Sequence, residues 1–186
     1  MRIGMGKFLS PLKRMARDRR IKWSVVACGS REDTFDLFRS ACRNHHPNAF
    51  NLLLVDAEAA VKGDPPTHLQ ACDGWDLGDV EPDRCHLMVQ VMEAWLIADG
   101  EALAEFFGQG FRENALPGRE DIERVPKADL MKGLKMATRD SRKGSYHKIH
   151  HGPKILGRLD PGIVRSRARH CDRLFETLEK RISSTS

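Results

Sequence analysis

The chain has no apolar run near the roughly 20 residues that a membrane-spanning helix needs. Its basic N-terminus, MRIGMGKFLSPLKRM, has neither a continuous apolar stretch nor a small-residue cleavage site, which argues against a secretory signal. Cysteine is sparse and unpaired in pattern: Cys28, Cys42, Cys72, Cys85 and Cys171 are odd in number and form no C-x-x-C. A disulfide framework and a zinc site are thereby disfavoured, and a reducing cytoplasm is expected. The motifs G-x-x-x-x-G-K-[ST], G-x-G-x-x-G and G-x-S-x-G are all missing, so P-loop, dinucleotide and serine-hydrolase chemistry have no support. No internal repeat or low-complexity tract occurs, which removes solenoid architectures.

What is present fits one soluble domain spanning residues 1–186, 40% hydrophobic and 31% charged. The net charge of +5 is zoned. Residues 1–50 carry +7, residues 51–105 carry −10 and residues 106–186 carry +8. An acidic centre between basic flanks suits a cation site within a phosphate-attracting surface, and suits uneven loops equally well.

Local signals outline an α/β part over residues 1–100 and a helical, basic part over 101–186. Ser10-Pro11 predicts a helix start, running to about Arg20. IKWSVVAC (21–28) is strand-like, and Ser30 with Asp33 resembles a capping box for a helix burying Phe35, Phe38, Ala41 and Cys42. HHPNA breaks that helix, and NLLLVD predicts a strand buried on both faces. Strand, helix, strand in this span predicts a βαβ unit with parallel strands. Residues 62–83 read as irregular, and 86–98 as a strand turning into a helix. Asp99 caps the next helix, which Gly108 closes; a further helix covers 127–138. Asp160-Pro161 starts a C-terminal helix with Val164, Ala168, Cys171, Leu174, Phe175, Leu178 and Ile182 as its stripe.

The run NLLLVDAE ends in two carboxylates. In a continuing strand, Asp56 and Glu58 would project together from the carboxyl end, where open α/β sheets place ligands. Mg²⁺ is the natural counter-ion for such a pair. A strand reaching solvent, with Glu58 opening a helix, is the plain alternative.

Three stretches together, VVACGSREDTFDLF with NLLLVDAE, then HLMVQVMEAWLIAD, then KGSYHKIHHGPKIL followed by LDP, resemble a bacterial family, domain of unknown function 4276. The resemblance runs from about Gly6 to Leu178. It implies a fold similar to Toprim, the Mg²⁺-binding α/β domain of topoisomerases, primases and several nucleases: a mostly parallel sheet flanked by helices. Some members resemble phage-defence effector nucleases that act beside an ATPase partner. The D-x-D element of Toprim is matched by Asp56-Ala57-Glu58, with Glu in the last place. The first Toprim glutamate has no match, since no carboxylate precedes Asp18; either this start lies downstream of the natural one or the residue is absent.

Other candidates carry weaker signals. In RDSRKGSYHKIHHGPK (139–154), Lys143, Lys148 and His151, with neighbouring histidines, suit phosphate contacts, and Tyr146 suits base stacking. A solvated basic loop is the alternative. Glu93 is either an accessory acid near the metal edge or a polar position on an amphipathic helix. Arg31, at the turn Gly29-Ser30-Arg31, offers a cation for an anion. The function expected is a Mg²⁺- or Mn²⁺-dependent nuclease-type domain acting on DNA or RNA, with Asp56 and Glu58 as catalytic and metal-binding residues. The alternative is a catalytically inactive nucleic-acid- or partner-binding module of the same fold.

Overall fold

The aliphatic run does form a strand, because its ladder partner lies in the strand-like start of the segment read as strand turning into helix. In the computed structural model, which describes every residue except Pro47, Arg119 and Ser186, β1 (Leu53–Asp56) pairs in parallel with β2 (Cys85–Met88). The register runs from Leu53 opposite Cys85 to Asp56 opposite Met88. Around this two-stranded sheet, ten helices are described, so the architecture is α/β with helices dominant. None of the described helices is long and apolar enough to cross a membrane.

The N-terminal segment makes two helices, α1 (Arg2–Phe8) and α2 (Ser10–Asp18). Ser10 is therefore the first helical residue and not the cap. Next, α3 (Arg31–Ser40) starts at the expected capping box: Ser30 Oγ accepts from the Asp33 amide at 3.1 Å and Asp33 accepts from the Ser30 amide at 2.8 Å. It buries Phe35 and Phe38, but a π-helical turn at Ala41–His45 leaves Ala41 and Cys42 only half-buried. The expected break at HHPNA includes Pro47, which lies outside the described residues.

Residues 21–28 form no strand, so the crossover expected between them and β1 is not a βαβ unit. Ile21, Trp23 and Val25 pack against the core through side chains, without joining the β1–β2 ladder. The parallel pair instead crosses over through a segment expected to be irregular, which contains α4 (Pro65–Asp73). Asp64 caps it by accepting from the Thr67 amide at 2.8 Å, Pro65 fills the first position, and Gly74 ends it at φ 70°.

The remaining helices are α5 (Met92–Ala98), α6 (Gly100–Phe107), α7 (Lys127–Thr138), α8 (Lys148–Leu156), α9 (Pro161–Arg167) and α10 (Arg169–Ser184). Asp99 caps α6 as expected, accepting from the Ala102 amide at 3.0 Å. The expected C-terminal helix is broken at Ala168, where the backbone turns extended, yet its whole apolar stripe is buried. Every residue of α5 is buried, and it touches α6, α7, α8 and α9. Leu52 and Leu54 face this larger core, whereas Leu53 and Val55 face a smaller one with Phe35, Leu69 and Trp75. Both sheet faces are thus covered, as a continuous aliphatic strand requires.

Candidate functional site

β1 ends at Asp56, and the direct turn from β2 into α5 brings the first turn of that helix against it. Asp56 Oδ1 accepts the Met92 amide at 2.7 Å, fixing the carboxylate to the helix start. Its other oxygen, Oδ2, accepts from Lys148 Nζ at 3.2 Å. Lys148 also lies 3.7 Å from Glu93 Oε2. Glu93 is fully buried, its Oε1 accepts the Tyr146 hydroxyl at 2.9 Å, and its Oε2 has no hydrogen-bond partner. Segments about 40 and 90 residues from Asp56 therefore converge on one point. Burial disfavours the charged Lys148, but Asp56 and Glu93 outweigh that, and its pKa is raised. Burial, reinforced by Glu93, pushes the Tyr146 hydroxyl up as well, so it stays a hydrogen-bond donor.

Asp56 and Glu58 do not continue one strand. Glu58 sits at φ 63°, in the left-handed region, so the alternation that would place both on one side stops at Ala57. That conformation costs about 1 kcal/mol for a residue with a side chain. It is held by the Glu58 amide donating to the Gln90 carbonyl at 2.7 Å and by an ion pair with Lys127. The amide of Lys127 in turn donates to Gln90 Oε1 at 3.1 Å. His68, buried at 4% exposure, braces the same turn with Nε2 against the Ala57 carbonyl at 2.9 Å.

The basic segment is divided between surface and interior. Lys143 is exposed over the Phe106 ring at 5.1 Å, and Arg158 lies over that ring at 5.2 Å. Tyr146 is 5% exposed and belongs to the core, so its ring supports the site from within and offers no stacking face. His151 packs against Phe106 and Phe107, and its Nδ1 accepts the His147 amide at 3.2 Å. Burial, then nearby cations led by Lys154, lowers its pKa and keeps it neutral. Arg31 is ion-paired with Asp73 and stacked over Trp75 at 5.0 Å, a structural engagement.

Glu93 is where sequence periodicity misleads most. Its helix is buried all round, so no polar face exists for it to occupy. Lys127, Gln90 and His68 were not signalled by any motif, because their roles depend on a turn that the sequence does not announce. Among the described residues, no group of three or more His, Cys, Asp or Glu is placed to hold a metal ion. Asp56 and Glu93 are the two carboxylates that share a cation there.

The family model described as Domain of unknown function (DUF4276) matches residues 4–179, nearly the whole chain. No curated protein and no solved structure shows a significant match.

Proposed function

We propose that this chain, which belongs to the family of domain of unknown function 4276, is a Toprim-like, Mg²⁺- or Mn²⁺-dependent nuclease-type domain acting on DNA or RNA phosphodiesters. One observation carries the proposal: Asp56 and Glu93, from distant segments, each turn an oxygen toward the same cation at the carboxyl end of a parallel sheet. The donors fit a hard divalent ion, since both are carboxylates and Glu93 Oε2 is buried with no hydrogen-bond partner. Bound there, Mg²⁺ would polarise the phosphodiester and lower the pKa of an attacking water. Asp56 and Glu93 would hold the ion, and the Tyr146 hydroxyl would orient the Glu93 carboxylate. Glu58 would join them only by releasing Lys127. Exposed Lys143 would draw in the nucleic-acid backbone. A cytoplasmic setting, expected from the unpaired cysteines, and an ATPase partner and a phage-defence role, implied by the family resemblance, belong to the same proposal.

The test is incubation of the purified chain with plasmid DNA, single-stranded DNA and RNA in Mg²⁺ or Mn²⁺. Cleavage is expected, and Asp56→Asn and Glu93→Gln should each reduce it by about 100-fold or more. Asp56→Asn is chosen because it keeps an acceptor for the Met92 amide. Cleavage unchanged by both substitutions would remove the centre from these residues.

A second reading, a binding module without chemistry, has its own supporting observation. Asp56 and Glu58 each already hold a lysine, which neutralises the strand end without any metal. Salt-sensitive oligonucleotide binding with no turnover in either metal would establish it.

A further inference from the structure

Each carboxylate of the Asp56–Glu93 pair divides its two oxygens between two tasks. One oxygen is committed to the fold: Asp56 Oδ1 to the Met92 amide at 2.7 Å and Glu93 Oε1 to the Tyr146 hydroxyl at 2.9 Å. The other oxygens, Asp56 Oδ2 and Glu93 Oε2, both face Lys148 Nζ, at 3.2 and 3.7 Å. The longer contact is an ion pair without a hydrogen bond, so Glu93 Oε2 is poorly served by the ammonium. With two negative charges and one positive, the trio is not neutral. Once the ammonium leaves, a divalent ion balances the two carboxylates where a monovalent one does not.

Lys148 is free to leave. It lies at the first position of α8, its side chain is 48% exposed, and its flexible stem reaches the site from outside. Tyr146 and Gly152 hold the approach of α8 in place: a Cβ on Gly152 would stand 2.9 Å from Met92 Cε and 3.2 Å from the Tyr146 hydroxyl. The backbone can thus stay fixed while the ammonium moves.

We infer that Lys148 is an exchangeable counter-ion, bridging Asp56 and Glu93 in the metal-free protein and giving way to the divalent cation, so that its charge turns outward to a substrate phosphate. The inference rests on the nuclease proposal above. It makes Lys148 a competitor of the metal and a partner of the nucleic acid. A merely structural ion pair would be neither.

Opposite effects on the two ligands are the signature. Mn²⁺ binding to the full chain is measured by electron paramagnetic resonance for wild type, Lys148→Met and Lys148→Gln, with circular dichroism as the check on folding. Both variants should bind Mn²⁺ about tenfold more tightly, and with Mn²⁺ present both should bind a single-stranded oligonucleotide more weakly than wild type. Mn²⁺ affinity that is unchanged or lower in folded variants overturns the exchange, while leaving the metal centre intact. An absence of Mn²⁺ binding in every form, wild type included, overturns the metal centre and the exchange with it. Should both variants fail to fold, wild-type protein with ¹³C-dimethylated lysines gives the same answer by NMR. A Lys148 signal, assigned by its loss in Lys148→Arg, should move on Mg²⁺ addition to the position of an exposed lysine; a signal that stays put overturns the exchange.

Discussion

Glu93 and Glu123 are the two glutamates buried among the described residues, and they are buried for different ends. Glu123 lies in a 3₁₀ turn beneath the start of α10, where its Oε1 accepts the His170 amide at 2.9 Å and its Oε2 lies 2.7 Å from His170 Nδ1. Both oxygens are used, and a carboxylate at a helix N-terminus also meets the favourable end of the helix dipole. Glu93, also in the first turn of a helix, has one oxygen used by Tyr146 and one left to a lysine that does not reach hydrogen-bonding distance. A buried carboxylate whose needs are met from within the fold is part of the scaffold. One left with an uncommitted oxygen beside a half-exposed lysine is where chemistry has room to act.

The sharpest way to break this contrast is to compare the two by denaturant unfolding. Glu123→Ala should lose about 3 kcal/mol, because a helix-start amide and a half-buried histidine both lose their partner. Glu93→Gln should lose no more than about 1 kcal/mol, since Gln can still accept from Tyr146 and one buried charge is removed. Equal losses would erase the distinction between scaffold and site.

Acid should find the scaffold next. His86 is fully buried, its Nε2 donates to the Asp83 carbonyl at 3.0 Å and its Nδ1 accepts from Arg173 at 3.2 Å, which leaves no place for a second proton. Burial, then the Arg173 charge, brings its pKa down to about 4. The unfolded chain therefore takes up the proton first, and this contribution to stability is full above pH ~6.5 and is lost as pH falls toward 4, by up to about 3 kcal/mol. A melting series across that window should show the loss, and His86→Gln should lack this share of it. A difference curve that is flat with pH would remove His86 as the cause.

Tyr146→Phe sharpens the site half of the contrast. It should cost about 1 kcal/mol for the lost hydrogen bond, and lower cleavage by freeing the Glu93 carboxylate to turn. Unchanged cleavage in a folded variant would make the hydroxyl irrelevant to orientation. The smallest effect is chemical. Exposed Cys72 should react with a thiol reagent, while Cys85, pushed up to about 11 by burial, and buried Cys171 stay silent until the chain unfolds. Labelling of Cys85 in the folded protein would contradict its burial.

Capping signals were legible in the sequence because they are closed within three or four residues. Ser30 with Asp33, and Asp99 before α6, form the hydrogen bonds that their spacing promises, and Asp160-Pro161 opens a helix as written. The strand at NLLLVD and the buried C-terminal stripe were legible for a similar reason: continuous or periodic apolarity has few other outcomes. Where a long-range partner decides, the letters misled. Residues 21–28 have strand composition but no place in the ladder, and the α9–α10 stripe stays buried although its helix breaks at Ala168. The helix at Pro65–Asp73 was readable from Asp64-Pro65 and hidden by the turn-rich residues around it.

By itself, then, the sequence determined the caps at Ser30, Asp99 and Asp160, the buried strand ending in Asp56 and the zoning of charge, all of which depend on neighbours along the chain. Only the tertiary structure decided that Asp56 keeps company with Glu93, Tyr146 and Lys148 while Glu58 turns aside to Lys127. That choice depends on the parallel register, on the left-handed turn at Glu58 and on the close seat of α8 against α5. No local preference encodes these, because an ion pair between residues 92 positions apart exists only once the backbone has brought them together.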